Sequence, residues 1–169
     1  DWSSDVCSSD LNINENITLL ELYKKTKKKI ILTTVCLTDK KIEYISYENY
    51  PDLLLITALR MATSIPLLFP PIKYNDKLYI DGGILDNFPI NIVNDKLDEV
   101  IGLNIVPEFK NIKEYDNIID YITDVLNLFF NNISKNYDSY EYKNIIYNIP
   151  VYKTNSLELN ISLNVIYYL

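Results

Sequence analysis

Apolar positions fall along the chain in two modes, short β-branched runs and stretches at helical spacing, so the pattern predicts a mixed α/β protein. Thr18 is suited to cap a short helix from Leu19 to Lys25, with Glu21 three residues on completing a capping box. Lys29 to Leu37 is a nearly continuous apolar and β-branched run, the signature of a strand buried on both faces of a parallel sheet. Asp39-Lys40-Lys41 then turns into Ile42 to Tyr47, a second strand forming a hairpin. Pro51-Asp52 opens a helix whose apolar face holds Leu55, Ala58, Leu59 and Ala62. It ends at Ser64-Ile65-Pro66, because the residue before a proline is pushed out of the α region. A proline-stiffened apolar loop, Leu67 to Pro71, leads into a hairpin about Asn75-Asp76 whose second strand, Lys77 to Ile80, delivers Asp81.

Beyond the Asp81-Gly82-Gly83 turn the pattern predicts a short helix around Pro89 to Val93 and a buried strand from Glu99 to Val106. Ile118, Ile119, Ile122, Val125, Leu126, Phe129, Phe130 and Ile133 then make a helical stripe on a helix from Tyr115 to Ser134. Core packing is the plainer use for that stripe, and a surface for lipid or a partner is the other. Strands are expected again from Asn144 to Tyr152 and from Leu157 to Leu163.

Composition changes this picture in three ways. The first 11 residues hold the only Trp and are rich in Ser and Asp, whereas the remainder is dominated by Ile, Asn, Lys and Tyr. They have neither a basic nor an apolar signal region, and they resemble translated sequencing-adapter sequence joined to a truncated reading frame. Residues 1–11 are therefore set aside as foreign, and 12–169 are read as one domain portion whose natural N-terminus is missing. Second, a net charge of −7 argues against a nucleic-acid partner, because phosphate binding needs a basic surface. The dense basic run Lys24-Lys25-Thr26-Lys27-Lys28-Lys29 is an exception that could touch anionic lipid or RNA, with a solvated link between helix and strand as the plainer reading. Third, there is no histidine, so a Ser-His-Asp or Cys-His site and a His-containing zinc site are excluded within this chain, and two cysteines cannot make a Cys-only one. Cys7 and Cys36 lie in dissimilar surroundings, which fits a reducing compartment, with Cys36 a small buried apolar residue. No run approaches the ~18 apolar residues of a membrane span.

Two of the three glycines sit together behind Asp81, where the backbone is expected either to adopt positive φ or to approach another group closely. Three readings of Asp81 follow. Asp81-Gly82 is a favoured turn pair and needs no function. Asp81 and Asp86 could ligate a metal or phosphate, though no Gly-rich phosphate loop or third carboxylate is placed to help. Or Asp81 is a general base that activates a serine hydroxyl, as a carboxylate can when its site is dry and fixed within hydrogen-bond reach.

The wider pattern resembles the patatin-like phospholipase family. Its motifs are an Ala-x-x-Ala-Ser/Thr-x-x-x-Pro-x-x-Phe-x-Pro segment, a β-hairpin, and Asp-Gly-Gly/Ala-x-x-x-Asn-x-Pro. The matching positions are Ala58, Ala62, Thr63, Ser64, Pro66, Phe69, Pro70, Asp81, Gly82, Gly83, Asn87 and Pro89. The resemblance implies part of a three-layer α/β/α domain with a mainly parallel central sheet. It also implies hydrolysis of membrane phospholipid or other acyl-lipid esters by a Ser–Asp dyad without a cofactor or metal, with Asp81 as the base. The family's serine lies in a Gly-x-Ser-x-Gly elbow beside a Gly-rich oxyanion loop, and neither occurs here, since no glycine precedes Gly82. Ser64 matches the helix-end serine rather than the nucleophile, and its expected role is to satisfy backbone groups where the helix stops.

The chain is accordingly expected to supply only the base, to be inactive alone, and to belong to a cytoplasmic, membrane-peripheral enzyme. Ile65, Pro66, Leu68 and Phe69 are expected to wall an acyl-chain pocket. The alternative is a catalytically dead module of the same fold that binds lipid or protein. A self-contained small α/β domain with Asp81 merely in a turn is the third.

Overall fold

A computed structural model describes residues 14–108, 115, 117–122, 124, 125, 128, 145–152 and 165–168. The chain divides into two compact units, residues 1–82 and 83–169. The segment 1–11, with Cys7, and the strand expected at Leu157 to Leu163 lie outside the described residues.

The first unit begins with helix α1, Leu19–Thr26, and the capping box forms as expected. The Thr18 amide donates to Glu21 Oε2 at 2.9 Å, and the Glu21 amide donates to Thr18 Oγ1 at 3.2 Å. Strands β1 (Leu32–Cys36) and β2 (Lys41–Ile45) make the expected hairpin. Strands β3 (Ile72–Tyr74) and β4 (Lys77–Asp81) make the second, about Asn75 and Asp76. Both of those turn residues have positive φ, 46° and 58°, the conformation a two-residue hairpin turn demands.

The four strands order as β2-β1-β4-β3 and every pairing is antiparallel. The parallel environment read from Lys29 to Leu37 is therefore corrected for β1. An apolar run reports that a strand is central and covered, and β1 is both, being flanked by β2 and β4 and packed on by a helix. It carries no information about the direction of its neighbours.

Helix α2 spans Leu55–Ala62, four residues later than Pro51-Asp52 suggests. Pro51 to Leu54 instead serve the preceding chain. The Leu19 amide donates to Leu53 O, the Leu20 amide to Pro51 O and the Leu55 amide to Ile17 O, with Thr18 and Leu54 forming an antiparallel bridge. The buried face of α2 is Ala58 and Met61, packed with Leu19, Cys36, Ile45, Leu53 and Tyr79, while Leu59 is 39% exposed. Cys36 is buried as expected and carries a free thiol.

A 3-10 turn over Gly82–Ile84 leads from the first unit into the second, where another spans Ile90–Glu99, longer than the short helix expected around Pro89. Strand β5, Val100–Glu108, pairs in parallel with β6, Ile146–Tyr152, and antiparallel with β7, Val165–Tyr168. Phe88, Ile90, Val93 and Val100 form a second core. Residues 118–122, 124, 125 and 128 are helical, as the apolar stripe predicts. Of the stripe's described positions, Ile118, 67% exposed, and Ile119 depart from the core-packing reading, while Ile122 and Val125 are half-buried.

Candidate functional site

Asp81 is the last residue of β4, so the strand aims a carboxylate at the sheet's end, as the sequence suggests. Three neighbours determine where its backbone lies. In the ladder it stands opposite Thr34 of β1. Its amide donates at 3.0 Å to the carbonyl of Ser64, just past the end of α2. The preceding carbonyl, of Ile80, accepts from Thr34 Oγ1 at 2.7 Å, a buried hydroxyl that also lies 3.4 Å from Met61 O. Asp81 itself is half-buried.

Ser64 is buried, and its hydroxyl donates at 2.6 Å to Arg60 O, one of the carbonyls that α2 leaves unsatisfied where it stops. This is the helix-end role expected of it. The residue thus acts at both ends: its side chain closes the helix and its carbonyl holds the amide of Asp81. The Thr63 hydroxyl makes the same kind of bond, to Leu59 O at 3.0 Å.

Gly82 follows directly, and its reason for being glycine is space. None of the three glycines has positive φ, so of the two explanations open in the sequence the conformational one is excluded. A Cβ built on Gly82 would lie 2.5 Å from both the carbonyl carbon and the oxygen of Thr33, and 2.6 Å from its Cγ2. Backbone of the β4 end therefore presses on backbone of β1, which only a residue without Cβ permits. Nothing in the sequence near Gly82 marks this contact, because Thr33 lies 49 positions away. Gly83 is buried at the start of the second unit, as are Asp86 and Phe88.

The loop after Ser64 folds back on itself through two amides, Leu68 and Phe69, that donate to Ile65 O at 3.3 and 2.9 Å. Ile65 is buried, Pro66 and Leu68 are half-buried, and Phe69 is exposed. Between them Leu67 adopts φ of 70°, unusual for a branched side chain, and is 78% exposed.

A polar network on the β1–β2–β4 sheet went unremarked in the sequence. Lys77 Nζ lies 2.6 Å from Asp39 Oδ2, Lys41 Nζ lies 3.3 Å from Glu43 Oε1, and the Tyr50 hydroxyl bonds to Glu43 and approaches Tyr79 Oη at 3.4 Å. Burial, and after it the bond to Glu43, pushes the Tyr50 phenol far above its ordinary range. Among the described residues, Cys36, Asp39 and Glu43 are the trio whose ligating atoms lie within 4.8 Å of one another, and it contains neither Asp81 nor Asp86. The lysines beside both of its carboxylates make it an ion-pair network in character. Cys36, Asp39, Lys41 and Glu43 are close in sequence, but Lys77 and Tyr79 reach them from β4, a juxtaposition that no local spacing announces.

Comparison with known proteins gives three findings. The family model described as "Patatin-like phospholipase" matches residues 9–94, half of the chain. A "Probable lipid hydrolase 463L" from Invertebrate iridescent virus 6 is 41% identical over 80 residues, covering 47% of this chain and 28% of that protein. A second relative, "Uncharacterized protein R571" of Acanthamoeba polyphaga mimivirus, is 29% identical over 89 residues, covering 53% of this chain and 30% of that protein. The chain thus spans less than a third of the length of these curated relatives.

Proposed function

Since this chain belongs to the patatin-like phospholipase family, we propose that Asp81 is the general base of a Ser–Asp dyad that hydrolyses acyl esters of phospholipids or related lipids. The observation that carries the reading is the position of Asp81 at a strand end, its amide held by Ser64 O and its next residue pressed on Thr33. A base must hold its carboxylate within hydrogen-bond reach of one hydroxyl, and a backbone pinned on two sides is suited to that. The similarity to a viral protein named a probable lipid hydrolase supports the substrate class.

In this reaction the serine Oγ attacks the ester carbonyl while its proton passes to the Asp81 carboxylate. The same proton then goes to the departing alkoxide; water, deprotonated by Asp81, next attacks the acyl carbonyl, and as the serine–acyl bond breaks Asp81 returns that proton to the serine Oγ. The serine and the oxyanion donors belong to polypeptide outside this chain, which contains no Gly-x-Ser-x-Gly, so the 169 residues alone are inactive. In the complete protein the chain contributes to a three-layer α/β/α domain, for which the parallel β5–β6 pairing is the supporting feature. Ile65, Pro66, Leu68 and Phe69 wall the acyl-chain side, and the enzyme works in the cytoplasm at a membrane surface without a metal or cofactor.

The test is Asp81→Asn in the complete reading frame, assayed on a phospholipid ester. Loss of a general base lowers the rate by roughly 10²–10⁴. Unchanged hydrolysis would refute the role of Asp81. Finding an intact elbow with its serine replaced favours a lipid- or protein-binding module, and finding no Gly-x-Ser-x-Gly within roughly 250 upstream residues, one to two domain lengths, refutes the dyad.

A further inference from the structure

The lysine run at the end of α1 is the strongest charged feature of the first unit. With its five lysines set aside, the chain has 11 basic and 23 acidic residues, so the run is a basic island on an acidic protein. Lys24 and Lys25 occupy the last turn of α1, Lys27 is its C-cap with φ of 58°, and Lys28 and Lys29 lead toward β1.

Capping the helix does not explain these side chains. The carbonyl of Tyr23 accepts from the Lys27 amide at 2.7 Å, and that of Leu22 accepts from Thr26 Oγ1 at 2.8 Å. The Lys28 amide donates in turn to Thr26 Oγ1 at 3.1 Å. The bend is therefore tied down by main chain and by Thr26, and the lysine side chains are not needed to hold it. Favourable interaction with the helix dipole falls off within the last turn, so it does not reach Lys28. Lys29 pairs with Glu48 at 2.5 Å, the side chains of Lys24, Lys27 and Lys28 are exposed, and Ile30 beside them is 37% exposed.

We infer that this turn is an electrostatic docking surface for an anionic phospholipid bilayer, seating the protein at the lipid on which the proposed hydrolysis depends. A flat anionic surface needs only a local cluster of cations, and each lysine near it strengthens partitioning by roughly fivefold. RNA is the poorer occupant. The run contains no arginine, and the adjacent aromatic ring, Tyr23, is stacked on Tyr47 at 4.0 Å and cannot take a base between them.

The test is co-sedimentation of the 169-residue chain with vesicles of phosphatidylcholine, and of about three parts phosphatidylcholine to one part phosphatidylserine. The expected result is binding to the anionic vesicles that weakens steeply between about 0.05 and 0.5 M salt. Lys27→Gln with Lys28→Gln should weaken it about 25-fold, and Lys27→Arg with Lys28→Arg should retain it. Equal binding to neutral vesicles, indifference to the glutamine pair, or equally tight binding to poly(U) overturns the inference. Because the measurement involves no turnover, its failure leaves the dyad standing, and failure of the Asp81→Asn test leaves the docking surface standing.

Discussion

Replacing Gly82 by alanine puts the packing at the candidate base to a quantitative test. The new Cβ would start 2.5 Å from the carbonyl carbon and oxygen of Thr33, so one backbone must recede by about 0.9 Å to reach ordinary contact at 3.4 Å. Neither can do so freely. Thr33 is paired with Tyr44 of β2 on its far side, and the Gly82 segment is tethered through the Asp81 amide to Ser64 O. Forcing atoms into a packed site of this kind costs about 1–3 kcal/mol, comparable to losing one or two ladder hydrogen bonds. Alanine restricts the unfolded chain more than glycine does, which returns about 0.4–1 kcal/mol, and since Gly82 does not have positive φ there is no further strain to add. The net destabilisation is about 1–2 kcal/mol. With an m-value of about 1–2 kcal/mol/M, the urea midpoint falls by about 1 M. Urea titration by circular dichroism measures this, and amide exchange locates it, with protection lost in β1 and β4. Gly102→Ala is the control: there the Cβ meets the ring tip of Phe88 at 2.8 Å, so any loss of protection should fall in the second unit. An unmoved midpoint for Gly82→Ala, with β1 and β4 still protected, would show that the close approach is not what requires glycine.

Two further outcomes follow from the same geometry. Ser64→Ala removes the 2.6 Å bond to Arg60 O but keeps the carbonyl that holds Asp81, so stability should drop by about 1 kcal/mol and the melting temperature by about 4–8 °C. Hydrolysis by the complete enzyme should fall by less than about tenfold, and abolition in a folded variant would instead make Ser64 the nucleophile. For the ion pair, the hydrogen bond from Lys77 holds the Asp39 carboxyl below its usual 3.8, and the bond to Asp39 holds Lys77 above 10.5. The depressed Asp39 favours the fold above about pH 4 and loses that contribution as pH falls through its folded value, whereas Lys77 contributes below 10.5 and loses it in more alkaline solution. Both groups are exposed, so the effect on stability is small, but Lys77→Gln should move the Asp39 titration back toward 3.8 by carboxyl NMR. An unmoved titration would mean that Asp39 does not depend on Lys77.

What the sequence determined by itself is what a few neighbouring residues can decide. Thr18 and Glu21 form their capping box because both bonds close within one helical turn. Asn75 and Asp76 make the hairpin because both tolerate positive φ, and that hairpin is enough to place Asp81 at a strand end. Ser64 was legible as a helix terminator for the same reason, its acceptor lying four residues back. Tertiary structure decided whatever needs a distant partner. α2 begins at Leu55 and not Pro51 because residues 51–54 are bonded to residues 17–20. β1 has antiparallel neighbours although its apolar run suits either direction, since a strand's own residues record burial and not pairing. The Asp39–Lys77 pair joins residues 38 positions apart. Gly82 shows both sides at once: the sequence marks it as special and leaves two reasons open, and only the backbone of Thr33, brought alongside by sheet formation, selects close packing over an unusual φ.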